Sequence, residues 1–332
     1  YDRDRALDVV KLFEFLNATQ PEIVQQLDIA LDGPKRQQFL NRLQGEITKH
    51  GVIHILRHGF SHGPASGIRL YYYLPSPGNE DAARKFAQNL FSVTRQLRFS
   101  KDETRRSLDL ALFINGLPVA TFELKNRLTK QTVADAVTQY QRDRDPRELL
   151  FQFGRCMVHF AVDDQEVRFC THLQGKASWF LPFNQGYNDG AGNPPNPAGI
   201  KTAYLWREVL ERQSLANIIQ NYAQVVEEKD ERSRKKHKQI FPRYHQLRAV
   251  RKLLVHADEH GVGQKYLIQH SAGSGKSNTI AWLAHQLVGI KQKSASGALS
   301  TAPLFDSIIV INDRTVLDKQ IKDTIKAFDH VA

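Results

Sequence analysis

The chain has 332 residues, with 46 Lys and Arg against 35 Asp and Glu, a formal net charge of +11, 41% hydrophobic residues, 20 Gly and 2 Cys. That length suits about two domains with cores of their own, and the composition excludes collagen-like, disulfide-scaffold and disordered chains. No uncharged apolar run approaches the roughly 18 residues of a membrane helix and no apolar signal segment follows Tyr1, so a cytoplasmic protein is expected, with Cys156 and Cys170 as reduced core residues.

In chain order, Ala6-Leu7, Val9-Val10, Leu12-Phe13 and Phe15-Leu16 recur at helical spacing. Pro21 opens a second helix, and Gly51 closes a later one that carries Phe39, Leu40, Leu43 and Ile47. From Gly51 the period shortens: 52–56, 69–74, 107–114 and 119–124 read as strands, with helices expected over 80–97 and 130–141. Residues 157–162 and 167–170 read as a hairpin turning at Asp163-Asp164. Strands mixed with helices make an α/β domain of 1–182. A Gly- and Pro-rich stretch at 184–199, a helix carrying Trp206, Val209, Leu215 and Ile219, and the basic run Arg232-Ser233-Arg234-Lys235-Lys236-His237-Lys238 form a connector over 183–238. The remaining residues, 239–332, form a second domain.

That second domain holds the most specific single motif, Leu267-Ile268-Gln269-His270-Ser271-Ala272-Gly273-Ser274-Gly275-Lys276-Ser277, followed by a helical pattern at Ile280, Leu283, Ala284 and Leu287. A strand feeding a Gly-rich turn that opens a helix aims backbone N–H groups and the positive end of the helix dipole at phosphates. Gly273, Ser274 and Gly275 would cradle ATP phosphates, Lys276 would reach the β and γ phosphates, and the Ser277 hydroxyl would ligate Mg²⁺. His270 departs from the usual Gly or Ala at the first loop position. Ile308-Ile309-Val310-Ile311-Asn312-Asp313 reads as a further strand of the sheet rather than as the metal-binding acidic pair, because Asn312 occupies the ligand position.

A second constellation lies at 107–126. Side chains two apart on a strand share a face, so Glu123 and Lys125 point one way while Phe122 and Leu124 face the core. With Asp109 on the preceding strand, they form a candidate metal-dependent phosphodiesterase site. Asp109 and Glu123 would hold Mg²⁺, which polarises the phosphate and lowers the pKa of the attacking water, and Lys125 would orient that water. This fixes the strand register. A tight two-residue turn at Asn115-Gly116 would set Asp109 opposite Phe122, with the carboxylates on opposite faces. A three-residue connection or a bulge is therefore expected, with Asp109 opposite Glu123.

Together, Asp109, Glu123-Leu124-Lys125-Asn126, Gln139, Phe153-Gly154-Arg155-Cys156-Met157-Val158-His159-Phe160, Pro242-Arg243-Tyr244-His245-Gln246, Gly273-Ser274-Gly275-Lys276-Ser277 and Asp313-Arg314-Thr315-Val316-Leu317-Asp318-Lys319-Gln320 carry a resemblance over nearly the whole chain. The sequence resembles the motor and restriction subunit of type I restriction-modification enzymes. The resemblance implies a PD-(D/E)xK restriction-endonuclease-like mixed sheet with flanking helices, in which Asp109, Glu123 and Lys125 take the roles above. A truncated RecA-like parallel α/β lobe of the superfamily-two helicase type is implied to follow. Gln246 resembles that superfamily's adenine-reading Gln. Some members carry a Gln-x-x-x-Tyr element; here Gln139 is followed at the fourth place by Asp143, so only Gln139 carries over.

The resemblance further implies Mg²⁺ and ATP as cofactors, double-stranded DNA as substrate and track, and methyltransferase and specificity subunits as partners. The +11 charge then suits sequence-independent binding to DNA. Tyr1 in place of Met and the missing helicase motifs lead to the expectation of an N-terminal fragment. It lacks the carboxylate pair and arginine finger of hydrolysis, so ATP turnover is not expected of it. The rival readings are a helicase-family or type III-like translocase, and a DNA-binding scaffold in which Glu123 and Lys125 are only a salt bridge. His50, His54, His58 and His62 recur every four residues, but the strand reading of 52–56 argues against a metal stripe. Arg57 and His58 are instead candidates for contact with DNA or the nuclease centre. Trp179, Trp206 and Tyr71-Tyr72-Tyr73 read as packing residues.

Overall fold

The computed structural model describes residues 1–102, 106–229, 235–293, 299–312, 322 and 324–325. Arg232, Ser233 and Arg234 of the basic run, and the motif from Asp313 to Gln320, lie outside these residues. The chain divides into two compact units, Tyr1–Val225 with Lys238–Phe241 and Val226–His237 with Pro242–Ala332. Among the described residues no helix is long and apolar enough to cross a membrane.

The first unit opens with helices α1 (Val9–Thr19), α2 (Pro21–Leu27), α3 (Pro34–His50) and α4 (Val52–His58). Asp8 caps α1 through the Lys11 N–H, and Pro21 and Pro34 open α2 and α3, where a missing N–H costs nothing. The strand expected at 52–56 is α4. Gly51, in the left-handed region at φ +85°, breaks the path after α3, and the chain resumes as a short helix that buries Val52, Ile53, Ile55 and Leu56. A short apolar run cannot by periodicity alone separate a buried helix from a strand. Arg57, offered as a DNA contact, is buried and donates from Nε and Nη2 to the carbonyls of Ile219 and Ala223. The rings of His50, at the end of α3, and His54 stack with centroids 4.8 Å apart, and His58 lies tilted against His54 at 4.5 Å. Among the described residues, however, no group of three or more His, Cys, Asp or Glu side chains is placed to hold a metal.

A small antiparallel pair follows, β1 (Phe60–His62) with β2 (Ala65–Ile68). Residues 69–74, expected as a strand, run on without ladder partners. Side chains satisfy the backbone there instead: Gln20 accepts from Arg69 N–H, Asn89 from Tyr72 N–H and Gln220 from Leu74 N–H. The helix expected over 80–97 stops early, giving α5 (Glu80–Ala87) and then β3 (Phe91–Arg98). Asn89 donates to the Phe86 carbonyl at the helix end, and the alternation of Phe91, Val93 and Leu97 belongs to a strand.

The central sheet continues with β4 (Ser107–Ile114), β5 (Leu117–Leu124), β6 (Val158–Val162), β7 (Val167–Cys170) and β8 (Leu181–Pro182), in spatial order β3-β4-β5-β6-β7-β8. Only β5 and β6 run parallel, joined through α6 (Val133–Arg142). Thr132 and Asp135 form a capping box at the start of α6, and Asp163, beside the β6–β7 turn, accepts from the Val133 N–H. One face of the sheet packs Ala111, Phe113, Ala161 and Cys170 under Val133, Ala136 and Tyr140 of α6. The other packs Phe122, Phe160 and Phe169 against Phe183, Phe241 and Trp206. Each of the five buried phenylalanines in this layer contributes roughly 1.5–3 kcal/mol.

Because that aromatic layer draws on residues beyond the sheet, the first unit runs on to Val225, past the edge read at 182. It includes α7 (Arg212–Asn221), whose Leu215, Ile218 and Ile219 are buried. Cys156 and Cys170 are buried free thiols, as expected, whereas Trp179 is exposed.

Strands β9 (Gln224–Lys229) and β10 (Lys235–Ile240) pair, and the second unit then carries α8 (Tyr244–His260), α9 (Lys276–Leu287) and the antiparallel pair β11 (Lys291–Lys293) and β12 (Leu299–Pro303). Neither 267–269 nor 308–312 forms the expected strand. Leu267 is 94% exposed and Ile311 89%. Parallel strands of this apolar kind are normally buried on both faces, and no described residue covers these side chains.

Candidate active site

Asn115 (φ +50°) and Gly116 (φ +81°) make the tight turn between β4 and β5, both in the left-handed conformation of a two-residue hairpin. Next to the turn the register is tight, Ile114 opposite Leu117 and Phe113 opposite Pro118. A bulge then intervenes: Leu112 faces Ala120, Ala111 faces Thr121 and Leu110 faces Phe122, leaving Val119 as the extra residue. Of the two devices expected, the three-residue connection is absent and the bulge is present. Continued by one pair, the shifted register sets Asp109 and Glu123 on the same face of the sheet.

The polar atoms there are tightly engaged. Asp109 Oδ2 accepts from the Leu124 N–H at 2.8 Å, and Oδ1 from Gln96 Nε2 at 3.1 Å. Glu123 is 0% exposed; its Oε1 accepts from Arg144 Nε at 2.6 Å, and its Oε2 is buried without a hydrogen bond. Lys125 Nζ donates to Gln139 Oε1 at 2.6 Å. The structure thus gathers Asp109, Glu123, Lys125 and Gln139 at one end of β5. The partner of Glu123 is Arg144 rather than Lys125, contrary to the salt bridge that the scaffold reading supposed. An open groove of about 560 Å³ borders Lys125 on the opposite face, between Leu124, Leu128 and Trp206, and neither carboxylate lines it.

In the second unit, α9 begins at Lys276, with Gly275 at φ +85° in the cap position. Lys276 Nζ donates to the carbonyls of His270 at 3.2 Å and Ser271 at 2.9 Å. The Gln246 amide is committed at both ends, accepting from Arg243 N–H at 2.9 Å and donating to the Gly275 carbonyl at 2.9 Å. Reading adenine would therefore require Gln246 to exchange these bonds. Ser277 lies half-buried in the first turn of α9, and the Ser274 hydroxyl is buried without a partner. Gly273 has open space around it.

Residues 65–178, which hold the whole carboxylate centre, match the family model of the type I restriction enzyme R protein N terminus. This segment is therefore similar to the N-terminal region of a type I restriction enzyme R protein. Residues 245–332 match the model of the SWI2/SNF2 ATPase. A putative type I restriction enzyme MjaVIIIP endonuclease subunit of Methanocaldococcus jannaschii is 24% identical over 323 residues, 93% of this chain and 27% of that protein. The putative MjaVIIP endonuclease subunit of the same organism is 26% identical over 260 residues, 72% of this chain and 21% of that protein. The chain spans about a quarter of the length of these curated relatives.

Within the matched segment, burial pushes the Glu123 carboxyl up to about 7 against the pull of the Arg144 guanidinium, with nearby Asp109 adding to the rise. Beneath it, Thr121 Oγ1 bonds Tyr140 OH at 2.8 Å and His159 Nδ1 at 2.7 Å, linking β5 to α6 and β6. Burial, with His172 adding, holds His159 down at about 3, so its ring is neutral. A two-carboxylate set with a free, buried Glu123 oxygen fits a hard divalent cation whose other ligands are water or phosphate oxygens. Sequence reasoning missed Arg144, Gln96 and the Thr121 network. The signal for Arg144 was a physical one: a carboxylate on an otherwise apolar strand calls for a buried counter-charge.

Proposed function

We propose that the first unit is a Mg²⁺-dependent nuclease of the PD-(D/E)xK type that cuts double-stranded DNA. In the complete protein it would work with an ATP-driven translocating lobe and with methyltransferase and specificity subunits. The observation that carries this reading is the bulge in β5, which brings Asp109 and Glu123 to one face beside Lys125. A strand pair needs no such irregularity for stability alone, since the bulge leaves one residue unpaired.

In this reading Asp109 and Glu123 hold Mg²⁺, which when bound polarises the scissile phosphate and lowers the pKa of the attacking water. Gln139 holds the Lys125 ammonium at the end of β5, where the charge would orient that water and offset charge on the phosphate. Gly273, Ser274, Gly275 and Lys276 would bind the phosphates of ATP, with Ser277 on its Mg²⁺ and Gln246 bracing the loop. The freed Lys276 ammonium would exchange its two carbonyls for phosphate oxygens.

The test places Glu123→Ala and Lys276→Ala separately in the complete subunit with its partners. The first is expected to abolish cleavage and leave ATP hydrolysis; the second is expected to abolish both. Cleavage that survives Glu123→Ala removes Glu123 from the active site and overturns the reading.

A further inference from the structure

Arg144 sits just beyond the end of α6 and is 4% exposed. Its guanidinium is held from three sides. Nε donates to Glu123 Oε1 at 2.6 Å, Nη2 donates to the Ser107 carbonyl at 2.9 Å, and the group lies 5.4 Å from the centre of the Phe99 ring. Ser107 belongs to the same strand as Asp109, two residues away. One guanidinium therefore ties the strand that carries Asp109 to the carboxylate of Glu123 on the neighbouring strand. The engagement is also selective between the two oxygens: Oε1 takes the guanidinium, and Oε2 is buried with no hydrogen-bond donor among the described residues, with the Asp109 carboxylate nearby.

We infer that Arg144 is a positioning residue of the carboxylate centre, which sets the Glu123 rotamer so that Oε2 faces a divalent cation and fixes the spacing of Glu123 from Asp109. The inference rests on the nuclease reading and deepens it. Charge neutralisation alone would be served by lysine, whose ammonium is a point charge without the planar fork. Arginine holds two acceptors in a fixed relation, here a carboxylate oxygen and a backbone carbonyl. Removing Arg144 outright would leave a buried charge unpaired and endanger folding. Lysine keeps the charge and gives up only the two-point geometry, so it is the variant of choice.

The experiment uses the complete subunit with its partners and three proteins: unaltered, Arg144→Lys and Glu123→Gln. Mn²⁺ binding without nucleotide is followed by the resonance of the free ion, and the part lost in Glu123→Gln defines the site. Cleavage is then measured against Mg²⁺ concentration. Arg144→Lys is expected to weaken Mn²⁺ at that site about 10- to 100-fold, and to raise the Mg²⁺ needed for half-maximal cleavage by a similar factor, with the rate at saturating Mg²⁺ largely recovered. A merely structural role would lower the rate at all Mg²⁺ concentrations without that shift. Arg144→Lys with unaltered Mn²⁺ affinity and Mg²⁺ dependence, alongside an inert Glu123→Gln, overturns the role of Arg144 and leaves the nuclease reading standing. Full Mn²⁺ binding and cleavage by Glu123→Gln sinks both. Should the lysine protein fail to fold, Arg144→Gln, which keeps one donor near the Nε position, is read by the same outcomes.

Discussion

The carboxylate centre and the Gly-rich loop before Lys276 are organised in opposite ways. At the carboxylates, every partner comes from a distant stretch of chain: Gln96 on Asp109, Arg144 on Glu123 and Gln139 on Lys125. In the loop, Lys276 is satisfied by carbonyls five and six residues back, and outside contacts come from His245 and Gln246 on one helix. The first centre exists only when the sheet has its register, whereas the second is a local turn that needs one helix to follow it. Damage to the sheet should therefore disable the first centre through folding, and damage to the loop should act on binding with the fold intact.

The sharpest way to break this contrast is a matched pair of glycines. A Cβ at Gly116 would lie 2.3 Å from the Asp8 carbonyl oxygen and 2.7 Å from the Leu12 nitrogen, at φ +81°. Gly116→Ala is expected to cost at least about 3 kcal/mol by combining strain with a backbone clash. Urea unfolding, with hydrogen exchange to place the loss in the first unit, checks this. An unchanged midpoint would mean that the turn does not hold the register.

Next in size is a pH effect. Glu123 titrates near 7 in the folded chain and has an ordinary value of 4.5, so the folded state keeps a proton that the unfolded state has already lost. Its contribution is fully present below 4.5 and is lost as pH rises through 7. Glu123→Gln, which cannot ionise, should gain on the unaltered protein by on the order of 3 kcal/mol between those limits. Unfolding free energies of both proteins across that range, without divalent cations, give the difference directly. A difference independent of pH would show that Arg144 compensates the burial fully.

How much of this was legible in the sequence follows the same division. The helix that follows the Gly-rich loop could be read from a contiguous stretch, and so could α6, whose apolar face and capping residues are local. The register of β4 and β5 was legible only through the chemistry expected of it: two carboxylates proposed to share a metal would have to face the same way, and a bulge is present. Arg144 was not, because the run Arg142-Asp143-Arg144-Asp145 has the look of a solvated helix end. Its burial is decided by Phe99 and Ser107, far off in sequence. Residues 52–56 failed for another reason, since a run buried on nearly all sides has no period to read.

Two smaller effects complete the contrast. Thr121→Val removes the hydroxyl shared by Tyr140 and His159 and leaves two buried polar groups unpaired in its place. A loss of about 1–3 kcal/mol is expected, with weaker hydrogen-exchange protection in α6. The smallest should be Gly273→Ala. Nothing lies within 4 Å of a Cβ there, so only the cost of φ +71° applies, roughly 1–2 kcal/mol and confined to the loop. Nucleotide binding, measured by calorimetry with a non-hydrolysable ATP analogue, should nevertheless fall, because the added methyl narrows the approach of phosphate to the loop N–H groups. If instead Gly273→Ala lowered global stability as much as Gly116→Ala, the loop would be part of the cooperative core, and the separation of a long-range centre from a local one would fail.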